Sequence, residues 1–221
     1  YRFLKGLGLE HIQFIPIVER KGQNGLAAAP QIETSSPHGV TDWSVAPRAY
    51  GKFLNDVFDL WYKTDVGQIF VQFFDVQLGL WAGRPAGLCV FAETCGNALA
   101  LEHDGSLYAC DHYVYPEYKL GSIAETPLRE MLWSPGQQAF GQAKKTTLTA
   151  QCNACAFRFA CNGGCPKQRF ATAKDGEAGH NYFCESYMMF FKHAGARLQK
   201  MAWQINNGIP ATGAVPKAAR P

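Results

Sequence analysis

Hydrophobic positions in residues 1–85 follow two rhythms. In "YGKFLNDVFDLWYKTDVG" (50–67), Phe53, Leu54, Val57, Phe58, Leu60 and Trp61 recur at helical spacing, which predicts an amphipathic helix closed near Gly67. On either side the apolar residues run almost unbroken. "HIQFIPIVE" (11–19) and "IFVQFFD" (69–75) predict short buried strands of the kind found in parallel sheets. Residues 1–7 predict the last turns of a helix ended by Gly6 and Gly8, and "VQLGLWAG" (76–83) a short helix. Residues 20–46 are rich in Gly, Ser, Pro and Asn and have no period, so they read as a long functional or mobile loop. Helix, strand, loop, helix, strand, helix is the order of an α/β barrel or a doubly wound sheet. Two such units cannot close either fold, so the pattern reads as starting in mid-domain.

From about residue 86 the pattern changes to cysteines, glycines and short alternating pieces. "ALALEHDGSLYACDHYVY" (98–115) predicts two strands joined by a hairpin turn at "HDGS". "TPLREMLWS" (126–134) predicts a short helix with Thr126 as N-cap and Pro127 in its first position. A helix is expected over about 182–205, and the Pro-, Gly- and Ala-rich tail 206–221 is expected to be disordered.

Composition narrows the function classes. The chain is 47% hydrophobic and 18% charged, with a net charge of +3 and no basic run. That argues against nucleic acid or an anionic membrane surface as partner. No apolar segment approaches the roughly 20 residues a membrane span needs. The aromatics Trp61, Phe70, Phe73, Phe74 and Trp81 read as core.

Eight cysteines change the picture: Cys89, Cys95, Cys110, Cys152, Cys155, Cys161, Cys165 and Cys184. A secreted disulfide framework fits their even number. Their low density, the absence of a signal-peptide pattern and the clustering of four in "CNACAFRFACNGGCP" (152–166) favour metal ligation in a reducing cytoplasm. Eight thiolates suit two tetrahedral zincs or two iron–sulfur clusters. A zinc ribbon would show a second Cys-x2-Cys knuckle. Here Cys165 is instead followed by Pro166, as in the ferredoxin run whose last cysteine ligates another cluster. The glycines of "ACNGGC" offer backbone N–H groups to an anionic cluster. Arg158, Lys167 and Arg169 lie among these sulfurs, either as favourable cations or as an ordinary solvated loop. Asp111, next to Cys110, reads as a turn residue or an acid–base group. His103 and His112 read as surface or packing residues.

The spacing Cys95-x9-Gly105-x4-Cys110, Cys152-x2-Cys155-x5-Cys161-x3-Cys165 and a gap to Cys184 resembles the seven-cysteine SPASM pattern of radical S-adenosylmethionine enzymes. With Cys89 six residues before Cys95, and "CDHY" at 110–113, it is most similar to the anaerobic sulfatase-maturating enzymes. "QFIPIVER" (13–20) resembles their sixth barrel strand, and the resemblance covers nearly all of residues 1–205. It implies an α/β chain. Residues 1–85 would be the last part of a partial (β/α)6 barrel, 86–190 an irregular α+β SPASM domain, and 191–221 a C-terminal helix and tail.

The resemblance further implies two auxiliary 4Fe–4S clusters. Cys89, Cys95, Cys110 and Cys165 would hold one, and Cys152, Cys155, Cys161 and Cys184 the other. S-adenosylmethionine and a third 4Fe–4S cluster belong to the full-length enzyme. The Cys-x3-Cys-x2-Cys loop that such an enzyme needs is not among these residues: Cys161 and Cys165 are four apart, but position 168 is Gln168. Asp111 would be the general base, and Ile15 would lie against the adenine. The implied substrate is a sulfatase polypeptide whose Cys or Ser becomes Cα-formylglycine, with a ferredoxin or flavodoxin as electron partner. A SPASM peptide cyclase, or a non-enzymatic iron–sulfur or zinc module, are the alternatives.

Overall fold

The computed structural model describes residues 1–22, 25–27 and 39–213. The chain begins with α1 (Arg2–Gly6), β1 (His11–Ile12), β2 (Arg20–Gly22), β3 (Gly25–Ala27), α2 (Pro47–Thr64), β4 (Phe70–Val71) and α3 (Gln72–Trp81). Then come β5 (Ala100–Leu101), β6 (Ser106–Tyr108), β7 (Lys119–Ser122), α4 (Leu128–Leu132), α5 (Pro135–Thr146), α6 (Ala150–Asn153) and α7 (Arg158–Cys161). The hairpin strands β8 (Ala171–Thr172) and β9 (Ala178–His180) precede the long α8 (Cys184–Asn206). Two compact units result. One comprises Tyr1–Ile17, Trp43–Gly87 and the chain from Phe183; the other comprises Val18–Asp42 and Leu88–Tyr182.

In the first unit, α2 and α3 pack on α8. Pro47, preset for the first helical turn, starts α2 three residues earlier than periodicity alone indicates. Its buried stripe is Tyr50, Leu54, Val57, Phe58 and Trp61. Phe58 meets Phe190 of α8 and Phe74 of α3 edge-on, at centroid distances of 5.4 and 5.2 Å. The Trp61 indole N–H donates to the Ile69 carbonyl at 2.7 Å, tying α2 to the entry of β4. Trp61, Phe73 and Phe74 are core as expected. Phe70 is not: it is 41% exposed and stacks on His11.

The two expected strands pair in parallel, with His11 opposite Phe70 and Ile12 opposite Val71. Each is only two residues long, and no closed barrel forms among the described residues. The strand expected over 69–75 turns helical at Gln72, because Phe73, Phe74, Gln77 and Leu78 share one face that is buried in α3. After β1 exposure alternates, so Ile15 and Ile17 face outward, 73% and 61% exposed, where a strand buried on both faces was expected. The C-terminal tail is ordered further than its composition suggests. Gln204 Nε2 donates to Thr212 Oγ1 at 3.0 Å, and the Thr212 N–H returns a bond to Gln204 Oε1 at 3.2 Å. Residues 214–221 of that tail lie outside the described residues.

In the second unit β6 is the middle strand of an antiparallel three-stranded sheet, β5–β6–β7. The hairpin turn at "HDGS" is present: Asp104 accepts from the Ser106 N–H at 2.8 Å and from its hydroxyl at 2.9 Å. β2 and β3 form a hairpin inside the predicted loop 20–46, and residues 23–24 and 28–38 of that loop lie outside the described residues. Helix α4 starts at Leu128 with Pro127, not Thr126, at the N-cap. Helix α5 has no counterpart in the periodicity reading, although Ser134 caps it and Pro135 opens it. No helix among the described residues is long and apolar enough to cross a membrane.

Candidate metal centre

All eight cysteines are free thiols. Four of them come from separate segments of the second unit, three of which are tied to α5 and the fourth to Asn181. Cys89 lies in an exposed turn whose carbonyls, Cys89 O, Val90 O and Ala92 O, all accept from the Lys144 ammonium. The Cys95 N–H donates to the Gly141 carbonyl at 3.2 Å. This approach needs glycine, since a Cβ at position 141 would lie 2.3 Å from the Cys95 carbonyl oxygen. Gln137, 1% exposed, donates from Nε2 to Gly96 O at 2.7 Å and to Ala109 O at 3.0 Å. One carboxamide thus links the residue after Cys95 to the residue before Cys110. Cys165 is buried, and Asn181 Nδ2 reaches its carbonyl at 3.4 Å.

Cys152, Cys155 and Cys161 sit on and between the short helices α6 and α7. Thr149 caps α6 by accepting from the Cys152 N–H at 3.3 Å. Buried His180 places Nδ1 3.1 Å from Thr149 Oγ1 and 3.6 Å from Cys152 Sγ. Between Cys161 and Cys165, Asn162, Gly163 and Gly164 all adopt left-handed conformations, with φ of 47°, 70° and 62°. This turn was legible as glycine beside sulfur; its carbonyls at 162, 163 and 164 all point to the Arg169 guanidinium. Cys184 opens α8 in the first unit.

Burial and neighbouring charges raise three of these thiols. Burial pushes the Cys165 thiol up to about 11; the charges of Cys89 and Cys95 add to this, and the Lys167 N–H opposes it. Burial, then the bond to Asp111, pushes Cys110 up to about 12, with Cys165 adding. Burial also raises Cys95, Lys144 opposing and Cys89 adding. The contacts of Lys144, Gly141 and Gln137 in α5 gather the segments of Cys89, Cys95 and Cys110. His112, two residues after Cys110, reaches Cys165 Sγ, so the four sulfurs converge in one region. Thiols this reluctant to ionise become thiolates on a metal, which deprotonates a coordinating thiol outright. Four sulfurs gathered here, three of them on segments held by α5, fit an iron–sulfur cluster.

Asp111 Oδ1 accepts from the Cys110 thiol and from the His112 N–H, each at 3.0 Å. Burial alone would raise its pKa, but these bonds and the charge of His112 hold it below the usual carboxylate range. His112 is not simply a packing residue, since Nδ1 lies 3.3 Å from Cys165 Sγ. Ligand atoms of Cys110, Asp111 and His112 all lie within 4.8 Å of one another. His103 is exposed at the hairpin turn, and Ile15 lies on the open side of the segment after β1. Lys144, Gln137 and His180 were not legible as site residues. Nothing in a helix or hairpin sequence announces which distant carbonyl or sulfur its polar groups will meet.

The model of the SPASM family, an iron–sulfur cluster-binding domain, matches residues 89–156. The chain is 44% identical over 209 residues to the serine-type anaerobic sulfatase-maturating enzyme of Bacteroides thetaiotaomicron, covering 94% of this chain and 50% of that protein. This chain is a homologue of the anaerobic sulfatase-maturating enzymes. The cysteine-type enzyme of Clostridium perfringens (strain 13 / Type A) is 29% identical to this maturase homologue over 93% of the chain and 52% of that enzyme. The solved structure of native anSMEcpe with bound AdoMet and Kp18Cys peptide superposes with a TM-score of 0.73 at 28% identity, covering 92% of this chain and 53% of that one. The maturase homologue spans about half the length of the curated relatives it matches. The family match takes in Cys89, Cys95, Cys110, Cys152 and Cys155, while Cys161, Cys165 and Cys184 lie past its end.

Proposed function

We propose that this chain is the C-terminal part of a radical S-adenosylmethionine enzyme that oxidises a Cys or Ser of a sulfatase to Cα-formylglycine. The observation that carries the reading is the convergence of Cys89, Cys95, Cys110 and Cys165, with Asp111 bonded to one of those sulfurs. Likeness to both serine-type and cysteine-type maturases supports it and leaves the target residue open. On this reading those four cysteines hold one auxiliary 4Fe–4S cluster, and Cys152, Cys155, Cys161 and Cys184 a second. The clusters, when bound, supply electron acceptance.

The chain's own contribution is proton handling. With Cys110 as a ligand its S–H would no longer occupy Asp111 Oδ1, and the carboxylate, steadied by the His112 N–H, would be free to take a proton from the substrate. Ile15 is assigned to the adenine side of the bound S-adenosylmethionine. The test is metal content and product together. Anaerobically purified chain should be brown with about eight irons. The full-length enzyme should convert a sulfatase peptide to formylglycine, read by mass spectrometry. Colourless protein with two zincs would overturn the reading.

A further inference from the structure

We infer that Lys144 and Arg169 are built-in counter-charges for the two sulfur groups, raising the reduction potential of the clusters bound there. The inference rests on the iron–sulfur reading above and concerns what sets the redox behaviour of those clusters.

Lys144 is 1% exposed. Its Nζ donates to Cys89 O at 2.5 Å, to Val90 O at 3.0 Å and to Ala92 O. Three carbonyl acceptors match the three protons of an ammonium, whereas a neutral amine has only two to give. The geometry is that of the charged form. Arg169 is half-buried and cannot lose its charge. Its Nε donates to Gly163 O at 3.1 Å. Nη1 reaches Lys144 O at 2.7 Å and Thr147 Oγ1 at 3.4 Å; Nη2 reaches Asn162 O at 3.0 Å and Gly164 O at 3.4 Å. Every partner of both cations is a neutral oxygen. Among the described residues, neither forms an ion pair with a carboxylate.

Buried cations without an anionic partner are unfavourable. The groups positioned to compensate them are sulfurs. Lys144 Nζ sits on the carbonyl of Cys89, and Arg169 gathers the three carbonyls between Cys161 and Cys165. The charges of Cys95, Cys165 and Cys89 act on the first, and those of Cys152, Cys161 and Cys165 on the second. Cys165 is common to both, and the bond from Arg169 to the Lys144 carbonyl makes the pair one connected unit. A cluster on four thiolates is anionic, and reduction adds a further negative charge. A fixed cation at short range therefore stabilises the reduced form more than the oxidised form.

The test uses this chain reconstituted anaerobically with iron and sulfide, with iron assay and a redox titration followed by electron paramagnetic resonance. Lys144→Gln and Arg169→Gln keep some donors and drop the charge; Lys144→Arg and Arg169→Lys keep the charge. Each Gln variant should lower the reduction equilibrium of a cluster at least tenfold, 59 mV for one electron, or fail to hold full iron. Each charge-retaining variant should stay closer to the wild type in the same measurement. Gln variants with full iron and unmoved potentials overturn the inference. So do charge-retaining variants that lose as much iron as the Gln variants, because carbonyl capping then explains both residues. If the wild-type chain itself takes up no iron and sulfide, it is the iron–sulfur reading that fails.

Discussion

Asp111 accepts hydrogen bonds from a proposed ligand and from the next residue's backbone, which fixes its carboxylate beside that sulfur. In the full-length enzyme, Asp111→Asn keeps this shape and removes the base. Iron content and cleavage of S-adenosylmethionine should persist, while formylglycine yield falls roughly 10²–10⁴-fold. Near-normal yield would return Asp111 to a turn residue, and lost iron would make it structural. The contact of Asp111 with Cys110 was legible because "CDHY" puts the two side chains in adjacent positions. Gln137 and Lys144 were not. Their work is done on carbonyls 28 to 55 positions away, which no local pattern encodes.

Helix α3 shows where the period of a short apolar run fails to decide. "IFVQFFD" suits a strand and one side of a helix equally, and burial against α8 selects the helix from Gln72 onward. Helix α2, with eighteen residues and a full apolar stripe, left no such ambiguity. The helical choice has a cost at Asp75, in the first turn of α3. Burial raises this carboxyl to about 6, partly offset by the charge of His11. Because that value lies above the ordinary 3.8, the folded chain holds the proton more tightly than the unfolded chain does. The resulting stability is complete below about pH 4 and lost as pH rises through about 6. Asp75→Asn should therefore exceed the wild type by about 1 kcal/mol at pH 7, a value discounted for solvent access, and match it at pH 4. Denaturant midpoints at the two pH values decide this. An equal gap at both would show that buried charge is not the cause.

The two units differ in what holds them together. The first buries a continuous aromatic core of Phe58, Trp61, Phe74, Phe190 and Phe191. The second has, besides the twelve-residue α5, strands of two to four residues and three helices of four or five, around a sparser set led by Phe91, Leu107, Tyr113 and Met131. On the proposed iron–sulfur reading, a region built this way should draw much of its folding free energy from metal ligation. Cys161→Ala, or removal of iron by a chelator, should lower amide protection across 88–182 while α2 and α8 stay protected. Hydrogen exchange reads both at once, and unchanged protection in the Cys161→Ala protein would sink the idea. The fold class was legible from the alternation of helix and strand signals. The irregular second unit was legible chiefly through its sulfurs, since pieces this short carry too few residues for a period to form.

The left-handed turn between Cys161 and Cys165 also bears on how the protein ages. Asn162 stands before Gly163, the dipeptide in which a backbone nitrogen most readily attacks the neighbouring carboxamide and releases ammonia. In the folded chain that carboxamide is tethered, Nδ2 donating to Phe91 O at 2.8 Å. Protein stored with the second unit intact should keep its mass at this site. Protein stored after iron loss should gain about one dalton and one negative charge there, which makes peptide mapping of aged samples a record of how long the turn stayed closed.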